Sequence, residues 1–217
     1  MLYRATELIA YPLLRGYFRP AVTGREFVPA EGAAIMAANH LSAADQVITP
    51  IAARRQVVYF AKAEYFTEPG IRGRLRATMF REFGHVPVDR DDTRAAAGTI
   101  ATGVELLAHG RVLGIYPEGT RSPDGRLHKF RTGVARLALR SGAPVIPVGL
   151  IGTGAVLRQG DRRWHRADVA VHFGAALDFS GRPEDERSAR VLREVTETVR
   201  QAIQRLSGQE YVDSYAR

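Results

Sequence analysis

No cysteine occurs among the 217 residues. That removes disulfides, thiolate nucleophiles, cysteine metal sites and palmitoylation, and it is compatible with a reducing compartment. Lysine is nearly absent too: Lys62 and Lys129 are the only ones in a set of 31 Lys and Arg residues. Arginine therefore supplies almost all of a formal net charge of +8. Such an excess favours polyanionic partners, either nucleic acid or an anionic membrane face.

Long apolar runs are missing as well. No stretch reaches the roughly 20 apolar residues a membrane-spanning helix needs. From Met1 to Arg19 the apolar runs are short and broken by Arg4, Glu7, Pro12 and Arg15, which is not a signal-peptide layout. No G-x-S-x-G elbow occurs, so a serine hydrolase is disfavoured. Helix-turn-helix, zinc-finger and RNP-like patterns are lacking, which leaves a basic nucleic-acid-binding module as the different-class alternative with charge alone behind it. No nucleic-acid partner is expected.

What is present describes one globular domain: 45% hydrophobic and 25% charged residues, without repeats, linkers or low-complexity tracts. Residues 1–20 form an amphipathic segment, with Leu13 and Leu14 among its apolar positions and arginines between them. Such a segment either lies in a membrane interface or packs on the domain as a short N-terminal helix. Apolar, β-compatible runs recur at Ala33–Ala38, Val57–Ala61, Val86–Val88, Val112–Tyr116, Val145–Leu150 and Val169–Phe173. Helix-compatible stretches lie between them at Ala44–Arg54, Arg94–Ala108 and Val134–Ser141, followed by a long one over Glu184–Leu206. The alternation predicts an α/β fold: a mixed, mostly parallel sheet flanked by helices. The last helix places Val191, Val195, Val199, Ile203 and Leu206 on one stripe and carries no chemistry.

In such sheets ligand groups gather beyond the strand ends, and the polar motifs occupy those positions. Asn39-His40-Leu41-Ser42-Ala43-Ala44-Asp45 follows the first run. Asn39 and Ser42 read as turn and helix-start residues whose side chains cap free N–H groups. A strand-to-helix turn there folds the Asp45 carboxylate back onto the His40 imidazole, fixing its tautomer and raising the basicity of the other nitrogen. Gly84-His85-Val86-Pro87-Val88-Asp89-Arg90 is a second polar end. Tyr116-Pro117-Glu118-Gly119-Thr120-Arg121-Ser122 leaves the Val112 run and turns sharply; Gly119 permits close backbone approach, and Arg121 suits bidentate phosphate binding. Lys129-Phe130-Arg131-Thr132-Gly133 adds cations at the start of the next helical stretch.

Taken in order, these segments resemble the glycerolipid acyltransferase family, that of 1-acylglycerol-3-phosphate acyltransferases. Asn39, His40 and Asp45 match its N-H-x-x-x-x-D block, and Gly84, Val86, Val88 and Arg90 its G-x-(I/V)-x-(I/V)-x-R pattern. Pro117 to Ser122 match F-P-E-G-T-R-S with Tyr116 in place of phenylalanine, and Val145 to Val148 match V-I-P-V. The resemblance spans about residues 24–175. It implies His40 as general base oriented by Asp45, acting on a glycerol hydroxyl that attacks an acyl thioester. It implies Arg90 and Arg121 as phosphate ligands, with Glu118 and Gly119 shaping that pocket and Thr120 orienting the loop. Arg131 stands where many relatives have lysine, presenting a fork for a point charge. The implied acceptor is lysophosphatidic acid, giving phosphatidic acid; glycerol 3-phosphate itself or another lysophospholipid or glycolipid is the alternative. Acyl-CoA or acyl carrier protein is the co-substrate, and neither a cofactor nor a metal is required.

A membrane surface suits one further segment, Pro69 to Arg81. Ile71, Leu75 and Met79 repeat every fourth residue on one helical face, with Arg72, Arg74, Arg76 and Arg81 around it to meet anionic headgroups. Peripheral attachment at the cytoplasmic face of the plasma membrane is the expected location.

Overall fold

The structure, a computed structural model, describes residues 16–82, 84–88, 93–161, 163–181 and 186–216. The expected N-terminal amphipathic helix with Leu13 and Leu14, and the expected phosphate ligand Arg90, lie outside these residues.

Seven strands form one sheet: β1 (Ala21–Thr23), β2 (Ala34–Ala38), β3 (Val57–Lys62), β4 (Val86–Val88), β5 (Val112–Ile115), β7 (Val145–Ile151) and β8 (Ala170–Phe173). Their spatial order is β1-β8-β7-β2-β5-β3-β4. The five strands from β7 to β4 are mutually parallel. β8 runs antiparallel to β7, and β1 runs parallel to β8, so the sheet is mixed with two reversed strands at one side. Two short strands, β6 (Leu127–His128) and β9 (Tyr211–Val212), pair separately in parallel.

β2 is central because both of its faces are apolar. Ala34, Met36 and Ala38 pack on one side with Ile48 and Ala52 of α1 (Asp45–Ala53). Ile35 and Ala37 face the other side, under Leu107 of α4 (Thr93–Ala108), Val134 and Leu137 of α5 (Gly133–Ser141), and Val199 and Ile203 of α7 (Ala189–Ser207). The period of two along a strand assigns alternate residues to the two layers. Three further α-helices, α2 (Glu64–Thr67), α3 (Gly70–Glu82) and α6 (Thr153–Val156), and a 3-10 turn over Arg25–Phe27 belong to the described fold. None of the described helices is long and apolar enough to cross a membrane.

The expected runs appear as strands and the expected stretches as helices, with boundaries within one residue except at one end. α7 begins at Ala189 rather than Glu184, because Ser188 caps it by accepting the Val191 N–H at 3.4 Å. Strands β1, β6 and β9 were not expected from the sequence. β6 and β9 have two residues each and β1 three, too few to show a period.

Candidate active site

The carboxyl ends of the parallel strands share one edge of the sheet, and two of them build the centre. β2 delivers His40 and β5 delivers Tyr116 to Ser122. After β2 the chain turns once and enters α1, whose first residue is Asp45. One oxygen of this fully buried carboxylate, Oδ2, accepts three hydrogen bonds: from His40 Nδ1 at 2.8 Å, from the Leu41 N–H at 2.8 Å and from the Ser42 N–H at 2.9 Å. An ionised carboxylate only accepts, so the imidazole proton sits on Nδ1 and the Nε2 lone pair is free. Nε2 has no hydrogen-bond partner among the described residues, and the His40 side chain keeps 12% of its exposure. The turn expected from the sequence does bring the Asp45 carboxylate onto the His40 ring.

Asn39 and Ser42 act differently from expectation. Asn39 is buried and reaches across to β7, donating to the Leu150 carbonyl at 2.9 Å and accepting the Leu150 N–H at 2.7 Å. It continues the sheet ladder with a side chain and so fixes where β2 ends. Ser42 does not cap the helix, since Ala44 holds that position; its Oγ accepts the Ala44 N–H at 3.1 Å and donates to the Leu157 carbonyl at 2.8 Å.

The loop after β5 closes on His40 from both sides of its peptide. Glu118 Oε1 accepts the His40 N–H at 3.0 Å, and the Ser122 N–H donates to the His40 carbonyl at 2.7 Å. Glu118 Oε2 accepts the His128 N–H at 3.0 Å, tying in a third segment. Glu118 is 1% exposed, so its role is to hold His40 in place rather than to line an open pocket. Burial pushes its pKa up to about 7, against the pull of its two backbone donors.

The imidazole also lies on an aromatic stack. Its centroid is 3.8 Å from that of Tyr116 with the planes 10° apart, and Tyr116 is stacked on Tyr59 at 5.5 Å and 9°. Tyr59 lies flat on β5 because its register partner is Gly114: a Cβ there would come 2.2 Å from the Tyr59 ring. His85 meets the far edge of Tyr59 at 5.7 Å. Burial, together with the neighbouring Tyr59 and Asp45, raises the Tyr116 phenol well above its usual range.

Of the residues expected around the phosphate, Gly119, Thr120, Arg121 and Arg131 lie beside this centre. Gly119 adopts φ +83°, and a Cβ on it would come 2.8 Å from Arg131 Nε, so the glycine is required both by conformation and by the arginine packed on it. The Arg131 N–H donates to the Pro117 carbonyl at 2.8 Å, and its guanidinium lies 5.3 Å from the Tyr215 ring centroid. Arg121 is half-buried and has no ion pair or hydrogen bond among the described residues. Thr120 is exposed. Lys129 is engaged by Asp213 at 2.9 Å, so of the Lys129–Arg131 pair the arginine is the cation left for a ligand.

Away from the centre, Ile71 and Leu75 of α3 are 86% and 71% exposed, and Arg72 and Arg74 are exposed beside them. Arg76 is half-buried, paired with Glu68 and set 5.1 Å over the Tyr65 ring. The Met79 side chain is outside the described part of the structure.

Sequence reasoning missed the positioning roles of Asn39, Ser122 and Tyr59 and the whole contribution of Tyr215. The pairing of a lone glycine in β5 with a tyrosine in β3 was a usable signal for the stack; Tyr215 left none.

A family profile described as Acyltransferase matches residues 19–151. The chloroplastic 1-acyl-sn-glycerol-3-phosphate acyltransferase BAT2 of Brassica napus is 31% identical over 145 residues, covering 66% of this chain and 40% of that protein. The 1-acyl-sn-glycerol-3-phosphate acyltransferase of Bacillus subtilis is 26% identical over 189 residues, covering 85% of this chain and 86% of that one. The crystal structure of PlsC, the 1-acyl-sn-glycerophosphate (LPA) acyltransferase of Thermotoga maritima, superposes with a TM-score of 0.70 at 25% identity, covering 94% and 79% of the two chains. The chain spans about 40% of the length of the plant relative. The profile runs from just before β1 to the last residue of β7 and so takes in both His40 and the loop that grips it; the chain belongs to the acyltransferase family.

Proposed function

We propose that the protein transfers an acyl chain from a thioester, acyl-CoA or acyl carrier protein, to the free hydroxyl of 1-acylglycerol 3-phosphate, giving phosphatidic acid at the cytoplasmic face of the plasma membrane. The observation that carries the reading is the His40–Asp45 pair, with Nδ1 tied at 2.8 Å and Nε2 unpaired among the described residues. The names of the relatives support the choice of acceptor.

In this mechanism His40 Nε2 takes the proton of the acceptor hydroxyl as its oxygen attacks the thioester carbonyl. Asp45 stabilises the imidazolium that forms, and being buried it feels that charge strongly. Collapse of the tetrahedral intermediate breaks the carbon–sulfur bond, and the imidazolium returns the proton to the leaving thiolate. A thioester is already activated, so no covalent enzyme intermediate is needed. Arg121 and Arg131 hold the acceptor phosphate, joined by Arg90 two residues beyond β4.

The test is thiol release from palmitoyl-CoA and from palmitoyl-acyl carrier protein, with lysophosphatidic acid and glycerol 3-phosphate offered in parallel. Release that requires lysophosphatidic acid and falls by about 10²- to 10⁴-fold in His40→Ala is the expected result. Release that requires glycerol 3-phosphate instead reassigns the acceptor. No release with any pair of substrates refutes the reading.

A further inference from the structure

The site edge of the sheet carries two separate groups of exposed apolar side chains, one on either side of the central strands β2 and β5. Beyond β3 the chain passes through α2 into α3, which presents Ile71 and Leu75, with Tyr65 of α2 38% exposed nearby. At the other end, β7 finishes at this edge with Ile151, 39% exposed. β8 and β1 run the opposite way and therefore start there, next to Trp164 and Tyr17, 41% and 43% exposed. Phe18, buried at 5%, joins that second group to the core, 5.7 Å from Trp164 and 5.0 Å from Tyr17. His40 and Glu118 emerge from β2 and β5, between the groups. Strands about 4.8 Å apart put roughly 15–25 Å between the two groups along the row.

We propose that this edge is a two-point docking surface for an anionic bilayer, laid across the mouth of the active site. A single exposed leucine is ordinary, but Ile71 and Leu75 are one helical turn apart on the outward face of α3. Aliphatic side chains ringed by arginine suit the headgroup–acyl boundary, and tyrosine and tryptophan prefer that same depth. The charge is complementary: Arg72 and Arg74 flank the first group, and Arg19, Arg158 and Arg166 flank the second, all exposed. At the rim Glu68 is paired with Arg76, and Asp161 meets the His165 ring at 2.8 Å. Contact at two points on either side of His40 orients the mouth toward the leaflet, so an amphiphile reaches Nε2 by sliding within the interface. The docking does not rest on the proposed reaction; its value for turnover does.

Trp164 is the only tryptophan in the chain, so it reports its own end of the surface. Its emission is followed on adding phosphatidylcholine vesicles with and without phosphatidylglycerol, and with brominated phosphatidylcholine as a depth-limited quencher. Expected are a blue shift and quenching that need the anionic lipid. Sedimentation with the same vesicles weakens by about tenfold for each of Ile71→Ser and Leu75→Ser. It weakens by about fivefold for each of Arg72→Gln and Arg74→Gln. Both apolar positions are on the surface, and unchanged circular dichroism checks that the variants fold. His40→Ala is expected to bind like the wild type, which separates docking from turnover. Binding with quenching in a protein that transfers no acyl group keeps the surface and removes the proposed reaction. Vesicle binding that ignores both serine substitutions, unquenched Trp164, or a salt-sensitive shift of DNA without vesicle binding each overturns the proposal.

Discussion

Glu118 and His85 pull the acid stability of this protein in opposite directions. Glu118 is buried at a pKa of about 7 against an ordinary 4.5, so the folded protein holds that proton more tightly than the unfolded chain does. Its contribution therefore falls as pH climbs from about 4.5 through about 7. The His85 ring is half-buried between Tyr59 and Phe80, its Nδ1 is buried with no partner among the described residues, and desolvation lowers its pKa from 6.5 to about 4. Here the unfolded chain binds the proton more tightly, and stability is lost as pH falls from 6.5 toward about 4. Across their common range the two slopes offset each other. Urea unfolding as a function of pH is expected to be nearly flat there for the wild type and tilted oppositely in the two single variants. Glu118→Gln leaves the His85 slope, with stability rising as pH rises; His85→Phe leaves the Glu118 slope, falling by an amount on the order of 3 kcal/mol over the full window. Parallel curves for both variants would contradict the assignment. Glu118→Gln also turns an amide donor toward the His40 or His128 N–H, at about 1–3 kcal/mol, and a matching fall in kcat is expected in a steady-state assay.

At the scale of elements, β5 with its loop is the part on which the site depends most. Gly114→Ala is expected to push the Tyr59 ring off β5 and with it the stack beneath His40. Overpacking of this kind costs about 1–3 kcal/mol, and the loss of kcat should exceed that of a surface Gly→Ala control. The other support comes from the end of the described chain. β9 pairs with β6, the Lys129 N–H donates to the Ser214 carbonyl at 3.0 Å, and Arg193 donates to the Phe130 carbonyl at 2.9 Å. Tyr215 thereby lies under Arg131, the cation packed on Gly119. Tyr215→Ala is expected to raise KM for a phosphate-bearing acceptor about three- to tenfold with kcat nearly unchanged, and Tyr215→Phe to restore it. A fall in kcat alone, or no rescue by phenylalanine, would show that the ring does not aim Arg131. Central strands and long helices were legible in the sequence because burial writes a period into them. The tail was not, since a two-residue strand and a ring under an arginine depend on partners 84 positions away.

For the molecule as a whole, the His40–Asp45 pair was legible because it is local: the two are five residues apart, and one turn joins them. What holds the pair was not, because Leu150 lies 111 residues from Asn39 and Glu118 lies 78 from His40. Nothing in the spacing of one segment encodes such a partner. The same distribution predicts how the molecule opens. β2 is flanked by β5 and β7 and buried on both faces, so hydrogen exchange at Ile35 to Ala38 should be the slowest and should track global unfolding. Amides of β6 and β9 should exchange earlier, through an opening that leaves the main sheet intact.

The pairing of β9 with β6 also sets a time. A ribosome releases the amino-terminal part of a chain first, at about 5–20 residues per second, and partial structures form as they emerge. His40 and Asp45 can find each other once α1 is out, and Glu118 soon after. The brace under Arg131 must wait for residues 211–215, some 80 residues further along the chain than Arg131 itself. A nascent chain therefore sets His40 against Asp45 well before Arg131 gains the ring beneath it, so on the proposed function the base is in order before the phosphate ligand is braced.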